Sequence, residues 1–140
     1  MSFIVVGIDP GVSTGLALWD SADKRLRDVL TLGILQAQQH VLTLKNLGNL
    51  SHIVMEDARL RTGYFGPNAK AKQQGAGSIK RDCSIWTEFC DMHGIMLRCI
   101  SPKHKGAKVD AAMFAKLTKW EGRTSEHARD AALLVIGTRK

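Results

Sequence analysis

The stretch Phe3-Ile4-Val5-Val6-Gly7-Ile8-Asp9-Pro10-Gly11-Val12-Ser13-Thr14-Gly15 decides how this chain is read. Its first half is an apolar run typical of a buried strand, so Asp9 stands where that strand reaches the surface. Pro10 and Gly11 turn the chain, and Thr14-Gly15 lead into a second apolar stretch, Leu16 to Trp19. A carboxylate at the end of a central strand, beside a glycine-rich turn, is well placed to hold Mg²⁺ against a phosphate. Two later segments offer partners: Val54-Met55-Glu56-Asp57 presents Glu56, and Ser125-Glu126-His127-Ala128-Arg129-Asp130 presents His127 and Asp130.

Outward from that stretch, residues 3–9 and 15–20 read as the first two strands, with Asp20 to Arg25 as a hairpin turn and a looser third strand from Leu26 to Leu35. A helix is expected over Gln36 to Leu47, stopped by Gly48-Asn49, and His52 to Met55 is a short strand that delivers Glu56 and Asp57 at its end. Arg59 to Lys80, with Gly63, Gly66, Pro67, Gly75 and Gly77, is the least regular region. A helix from Ser78 or Ile79 to His93 follows, with Ile85, Trp86, Phe89 and Met92 on its inner face. Ile95 to Ile100 is the last strand, Lys105 to Trp120 a further helix, and Thr124 or Ser125 caps a final helix through Gly137. Three strands before the first helix are unlike a doubly wound nucleotide domain. They predict one α/β domain over residues 1–140, with a mixed sheet in which an antiparallel hairpin is extended by parallel crossovers.

Of the 13 acidic residues, most have plain explanations in turns or on polar helix faces. Asp9, Glu56 and Asp130 differ because each abuts a strongly apolar segment, where crowded ionised carboxylates need a cation. Phosphodiester hydrolysis supplies a reason for such crowding, since two metals about 3.5–4 Å apart can activate water and stabilise the leaving oxygen. Asp57 competes with Glu56, but adjacent strand residues point to opposite faces, so only one enters a site. His127 and Asp130, three apart, share a helix face. Glu126 remains a minor rival ligand, although an acid in the first turn is already favoured by the helix dipole. His127 fits a metal ligand, a proton-transfer group or an ordinary first-turn residue.

The segments GIDPGVSTG, VMEDAR, SPKHKGAKVDAAMFAKL and SEHARDAALLV resemble, in that order, the motifs of the RuvC family of Holliday junction resolvases, and together they span almost the whole chain. The resemblance implies an RNase H-like fold with a mixed five-stranded sheet flanked by helices. It implies a homodimer that places symmetric nicks in a four-way DNA junction, using Mg²⁺ or Mn²⁺, with two ions per active site. It assigns Asp9, Glu56, His127 and Asp130 as catalytic metal ligands, the third of these being aspartate in many members and histidine in others. The products would carry 5′-phosphate and 3′-hydroxyl ends. Two departures stand out. Arg59 occupies the position, three after the glutamate, where the family often has an aromatic residue, and the chain is short, like the compact phage members.

The charge balance agrees with an anionic partner: 20 Lys and Arg against 13 Asp and Glu give a formal +7. Arg59, Arg61, Lys70, Lys72, Lys80 and Arg81 precede the first acid of their region, Asp82, and suit contact along phosphates. Tyr64-Phe65 can stack on an unpaired base, or fold back on the core. Lys103, Lys105 and Lys108 form a second basic group before the C-terminal helices, expected to touch the DNA backbone, while Asp110 reads as a helix or surface partner. Trp86, Phe89 and Met92 suit core or dimer interface. Cys83, Cys90 and Cys99 lack metal-ligand spacing and fit buried thiols of a reducing cytoplasm, which for a phage protein is the host cell's. No run approaches the roughly 18 apolar residues of a membrane span.

Three other functions compete. Another RNase H-like nuclease, acting on RNA–DNA hybrids or flaps, would use nearly the same chemistry. A noncatalytic junction binder would keep the fold, but its carboxylates need not be intact as they are here. A sugar-kinase or actin-like ATPase also has a strand followed by DPGxxTG, yet needs two such domains around its nucleotide.

Overall fold

The structure, a computed structural model, describes residues 3–61, 69–102 and 108–138, and along 69–76 the backbone alone. Five strands form one sheet: β1 (Ile4–Asp9), β2 (Thr14–Asp20), β3 (Arg25–Leu32), β4 (Leu50–Glu56) and β5 (Leu97–Ile100), in the spatial order β3-β2-β1-β4-β5. β1, β2 and β3 pair antiparallel, whereas β1–β4 and β4–β5 are parallel. The sheet is therefore mixed, as three strands before the first helix require.

Four helices flank it among the described residues: α1 (Ile34–Asn46), α2 (Ala69–His93), α3 (Ala111–Thr118) and α4 (Glu126–Val135). Strand alternation sorts the core into two layers. Ile4, Val6, Ile8, Leu16, Leu18, Ile53 and Met55 pack with Ala37 and Val41 of α1 and Cys83, Trp86 and Phe89 of α2. On the opposite face Val5, Ala17, Trp19 and Val54 meet Phe114 of α3 and Ala128, Ala131, Ala132 and Val135 of α4. None of these helices is long and apolar enough to cross a membrane.

The helix ends correct the sequence reading in all four helices. α2 begins at Ala69, not at Ser78 or Ile79. The Ala, Lys and Gln residues at 69–74 are strong helix formers, and they carry the helix through Gly75 and Gly77. α3 begins after Asp110, whose carboxylate accepts from the Met113 N–H at 2.8 Å, and it ends at Lys119 in the left-handed conformation. It is thus shorter at both ends than the expected Lys105–Trp120 span. α1 opens two residues earlier than expected, at Ile34, because Gly33 rather than a later residue occupies the cap. α4 starts as anticipated, with the Ser125 hydroxyl accepting from the Ala128 N–H at 3.1 Å, and ends at Val135, short of the expected Gly137. Ile85 and Met92 also depart from the expected inner face: both are exposed, while Trp86 and Phe89 are core.

Candidate active site

The candidate residues lie at one end of the two central parallel strands. Ile8 of β1 pairs with Met55 of β4, so Asp9 and Glu56 occupy the next rung, side by side. Both lie two residues beyond positions facing α4, Gly7 and Val54, and so project to that face. Asp57, one residue on, faces the opposite layer, as the alternation predicts.

α4 crosses directly above. Its first turn places His127 Nδ1 3.0 Å from Asp9 Oδ2, and Asp130 follows one turn later, buried. Two glycines make this approach possible. A Cβ at Gly15 would lie 2.0 Å from the His127 carbonyl oxygen, and one at Gly7 would lie 2.2 Å from that of Ala131. The facing residues of α4, Ala128, Ala131 and Ala132, are equally small. Helix backbone thus rests on strand backbone, leaving Asp9 beside His127. The role of Gly7 and Gly15 within GIDPGVSTG is this packing, which the sequence reading missed. The available signal was a pair of small residues on one strand face matched by an alanine run in a helix. The turn between them is closed by Thr14 Oγ1 donating to the Gly11 carbonyl at 2.7 Å.

On the other face, Asp57 is buried and bound by Arg59. The Arg59 Nε donates to Asp57 Oδ1 at 2.9 Å and Nη2 to Oδ2 at 2.7 Å. The same guanidinium reaches α2, with Nη2 2.7 Å from Thr87 Oγ1 and Nη1 3.3 Å from Ser84 Oγ. Arg59 is exposed, and its donors fasten the 3-10 turn Ala58–Leu60 to α2. Burial pushes the Asp57 carboxyl upward, but hydrogen bonds from Arg59 outweigh it and leave the group below its ordinary value. Burial also raises the nearby Cys83 thiol, to about 11, and Cys90 further along α2, to about 12. Such thiols are structural rather than reactive.

The remaining sequence candidates are distributed as follows. Lys108 pairs with Glu126, the rival ligand at the start of α4. Arg81 is exposed and lies 3.8 Å from the buried Asp82, Lys80 is half-buried, and Arg61 is exposed. Tyr64, Phe65, Lys103 and Lys105 lie outside the described residues, and Lys70 and Lys72 are described only as α2 backbone.

Three carboxylates and one imidazole make a donor set that suits Mg²⁺ or Mn²⁺ in kind, since hard divalent ions prefer oxygen. In arrangement it is not yet gathered: among the described residues no three His, Cys, Asp or Glu side chains are grouped to hold a metal ion. Asp9 and His127 are instead bonded to each other.

No family model matches the sequence, and no curated protein matches it. Solved structures do. Over 96% of this chain and 90% of the other, the fold superposes on Thermus thermophilus RuvC in complex with Holliday junction substrate, with a TM-score of 0.58 and 16% identity. The fold is that of RuvC. A second Thermus thermophilus RuvC structure matches with a TM-score of 0.53 and 16% identity, over 96% of this chain and 92% of that one. Within this RuvC-like frame Asp9 and Glu56 lie on the two central parallel strands, and His127 and Asp130 on the helix that covers them.

Proposed function

We propose that this protein is a structure-selective endonuclease that resolves four-way DNA junctions by paired symmetric nicks, with a divalent metal. One observation carries the reading: in a RuvC-like fold, Asp9, Glu56, His127 and Asp130 come from three elements to one edge of the sheet. Asp9, Glu56 and Asp130, with His127, would hold the metal, which when bound neutralises charge at the scissile phosphate and eases deprotonation of the attacking water. The chain's own part begins with orientation. Glu56 is fixed by the β4 ladder, and the α4 backbone is fixed on β1 and β2 through Gly7 and Gly15. His127 Nδ1, 3.0 Å from Asp9 Oδ2, can take or return a proton at that carboxylate as the site loads.

A four-way junction presents two equivalent strands, and a two-fold dimer meets them geometrically, so the working form is a homodimer. Phosphate contact falls to Arg59, Arg61, Lys80, Arg81 and Lys108, with Lys70, Lys72, Lys103, Lys105 and the Tyr64-Phe65 pair. The excess of basic over acidic residues, a formal +7, supports a polyanionic substrate.

The test is cleavage of end-labelled synthetic four-way junctions with Mg²⁺ or Mn²⁺, beside equal-length duplex, flap and RNA–DNA hybrid. Paired nicks at symmetric positions on opposing strands support the reading, and Asp9→Asn should bind junctions without cutting them. Preference for hybrid or flap would keep the nuclease and overturn the substrate. Unimpaired cutting by Asp9→Asn would overturn the site.

A further inference from the structure

At the opposite end of the sheet from Asp9, a cleft of about 440 Å³ opens between the β2–β3 turn and the α3–α4 connection. Trp19, Trp120 and Leu117 contribute to its walls, and Lys24, Arg25 and Lys119 also line it. No acidic residue is among its lining residues. Asp23, next to Lys24, is held by Arg27. Among the described residues, none of Lys24, Arg25 and Lys119 has an ion-pair partner. Three uncompensated cations around one concavity favour an anionic occupant.

The backbone adds an independent observation. Among the described residues, the two non-glycine residues with positive φ are Lys24, at 55°, and Lys119, at 60°, and both line this cleft. One lies in the β2–β3 turn and the other caps α3. Glycine or asparagine occupies such left-handed positions at lower cost. Here the turn and the cap both carry lysine, and both of these left-handed positions line one cavity.

The aromatic walls narrow the ligand class. Trp19 is buried and its Nε1 donates to the Thr138 carbonyl at 3.0 Å, which makes it a fixed wall. Trp120 is half-buried, packed on the core on one side and lining the cleft on the other. An acidic peptide would satisfy the cations but offer no partner to that indole. A nucleic acid strand offers both phosphates and bases.

We propose that this cleft binds an unpaired stretch of DNA strand, with a base on Trp120 and the flanking phosphates on Lys24, Arg25 and Lys119. Trp19 pairs with Val5, four residues before Asp9, so the cleft lies about 13 Å from the candidate cleavage edge along β1. It is a separate contact, and it stands whether or not the chain cuts junctions.

The test uses the full chain carrying Asp9→Asn and a fluorescein-labelled oligothymidylate of about eight nucleotides, a length within a single-strand site. The double variant Lys24→Gly/Lys119→Gly removes two charges while relieving the left-handed strain. It should keep or raise Tm, weaken the oligonucleotide about tenfold and flatten the salt dependence by about 1.4 in log–log slope. Trp120→Ala should weaken binding by a similar factor and Trp120→Phe should restore most of it. Unchanged affinity and slope in the lysine variant would overturn the proposal. So would polyglutamate competing as well as the oligonucleotide, because the cleft would then read charge alone. Oligonucleotide binding that falls as described, beside wild-type protein that leaves junctions uncut, would support the cleft and refute the cleavage reading.

Discussion

Asp9 Oδ2 and His127 Nδ1 stand 3.0 Å apart, joining the end of the first strand to the first turn of the last described helix across 118 residues of sequence. This bond makes His127 a member of the carboxylate edge rather than a residue that merely starts a helix. If it ligates a metal there, aspartate can replace it and alanine cannot. His127→Asp should retain junction cleavage within about tenfold of wild type, and His127→Ala should lose about a hundredfold or more, the scale of a general acid–base or ligand loss. Equal activity of the two variants, measured by single-turnover cleavage, would remove His127 from the site.

Gly15 and Gly7 permit that bond without taking part in it. Gly15→Ala forces a methyl group against the His127 carbonyl, where the contact would be 2.0 Å, and Gly7→Ala does the same at Ala131. Each should cost about 1–3 kcal/mol or more in urea unfolding, the scale of overpacking. A substitution that only removed turn flexibility would cost less. Cleavage should fall in the folded fraction too, because α4 must lift and carry His127 from Asp9.

The Asp57–Arg59 pair predicts acid sensitivity. The folded Asp57 carboxyl titrates below its unfolded value of about 3.9, so its contribution to stability is complete above that pH and is lost as pH falls through the folded value. The unfolding free energy of the wild type should therefore decline below about pH 4. Arg59→Ala leaves a buried carboxylate unpaired and should cost about 2–3 kcal/mol at neutral pH. Asp57→Asn/Arg59→Ala, which removes the charge as well, should recover part of that loss and flatten the acid limb. A recovery no larger than experimental scatter would show that the pair is not coupled.

Cys83 and Cys90, buried and with thiols raised to about 11 and about 12, should resist iodoacetamide at pH 8 in the folded protein and react on unfolding in urea. Mass spectrometry after a timed pulse separates the two states. Rapid native-state labelling of either would contradict the packing of α2 against the sheet.

Much of this was legible because apolar alternation is a local signal. Ile4, Val6 and Ile8 against Val5 and Gly7 already announce a strand buried on both faces, and the segment around Glu56 repeats the pattern. The placement of Asp9 beside Glu56 follows from parallel pairing of those two strands. What stayed hidden depends on partners distant in sequence. Arg59 carries a charge that suits phosphate as well as it suits Asp57, and only the tertiary contact with Thr87 and Ser84 shows where its donors go. Gly75 and Gly77 look like loop residues until the alanine, lysine and glutamine around them are weighed over a whole helix. Gly7 and Gly15 read as turn residues because nothing local reveals the helix that lies on them.

The seating of α4 on β1 and β2 also orders events in time. During synthesis the strand hairpin and β4 emerge first, carrying Asp9 and Glu56 with no helix across them. His127 and Asp130 join only after about 70 further residues have been made. A nascent chain at the ribosome therefore holds half of the carboxylate edge and none of the residues that complete it, so any activity of this edge is confined to molecules in which the late helix has docked.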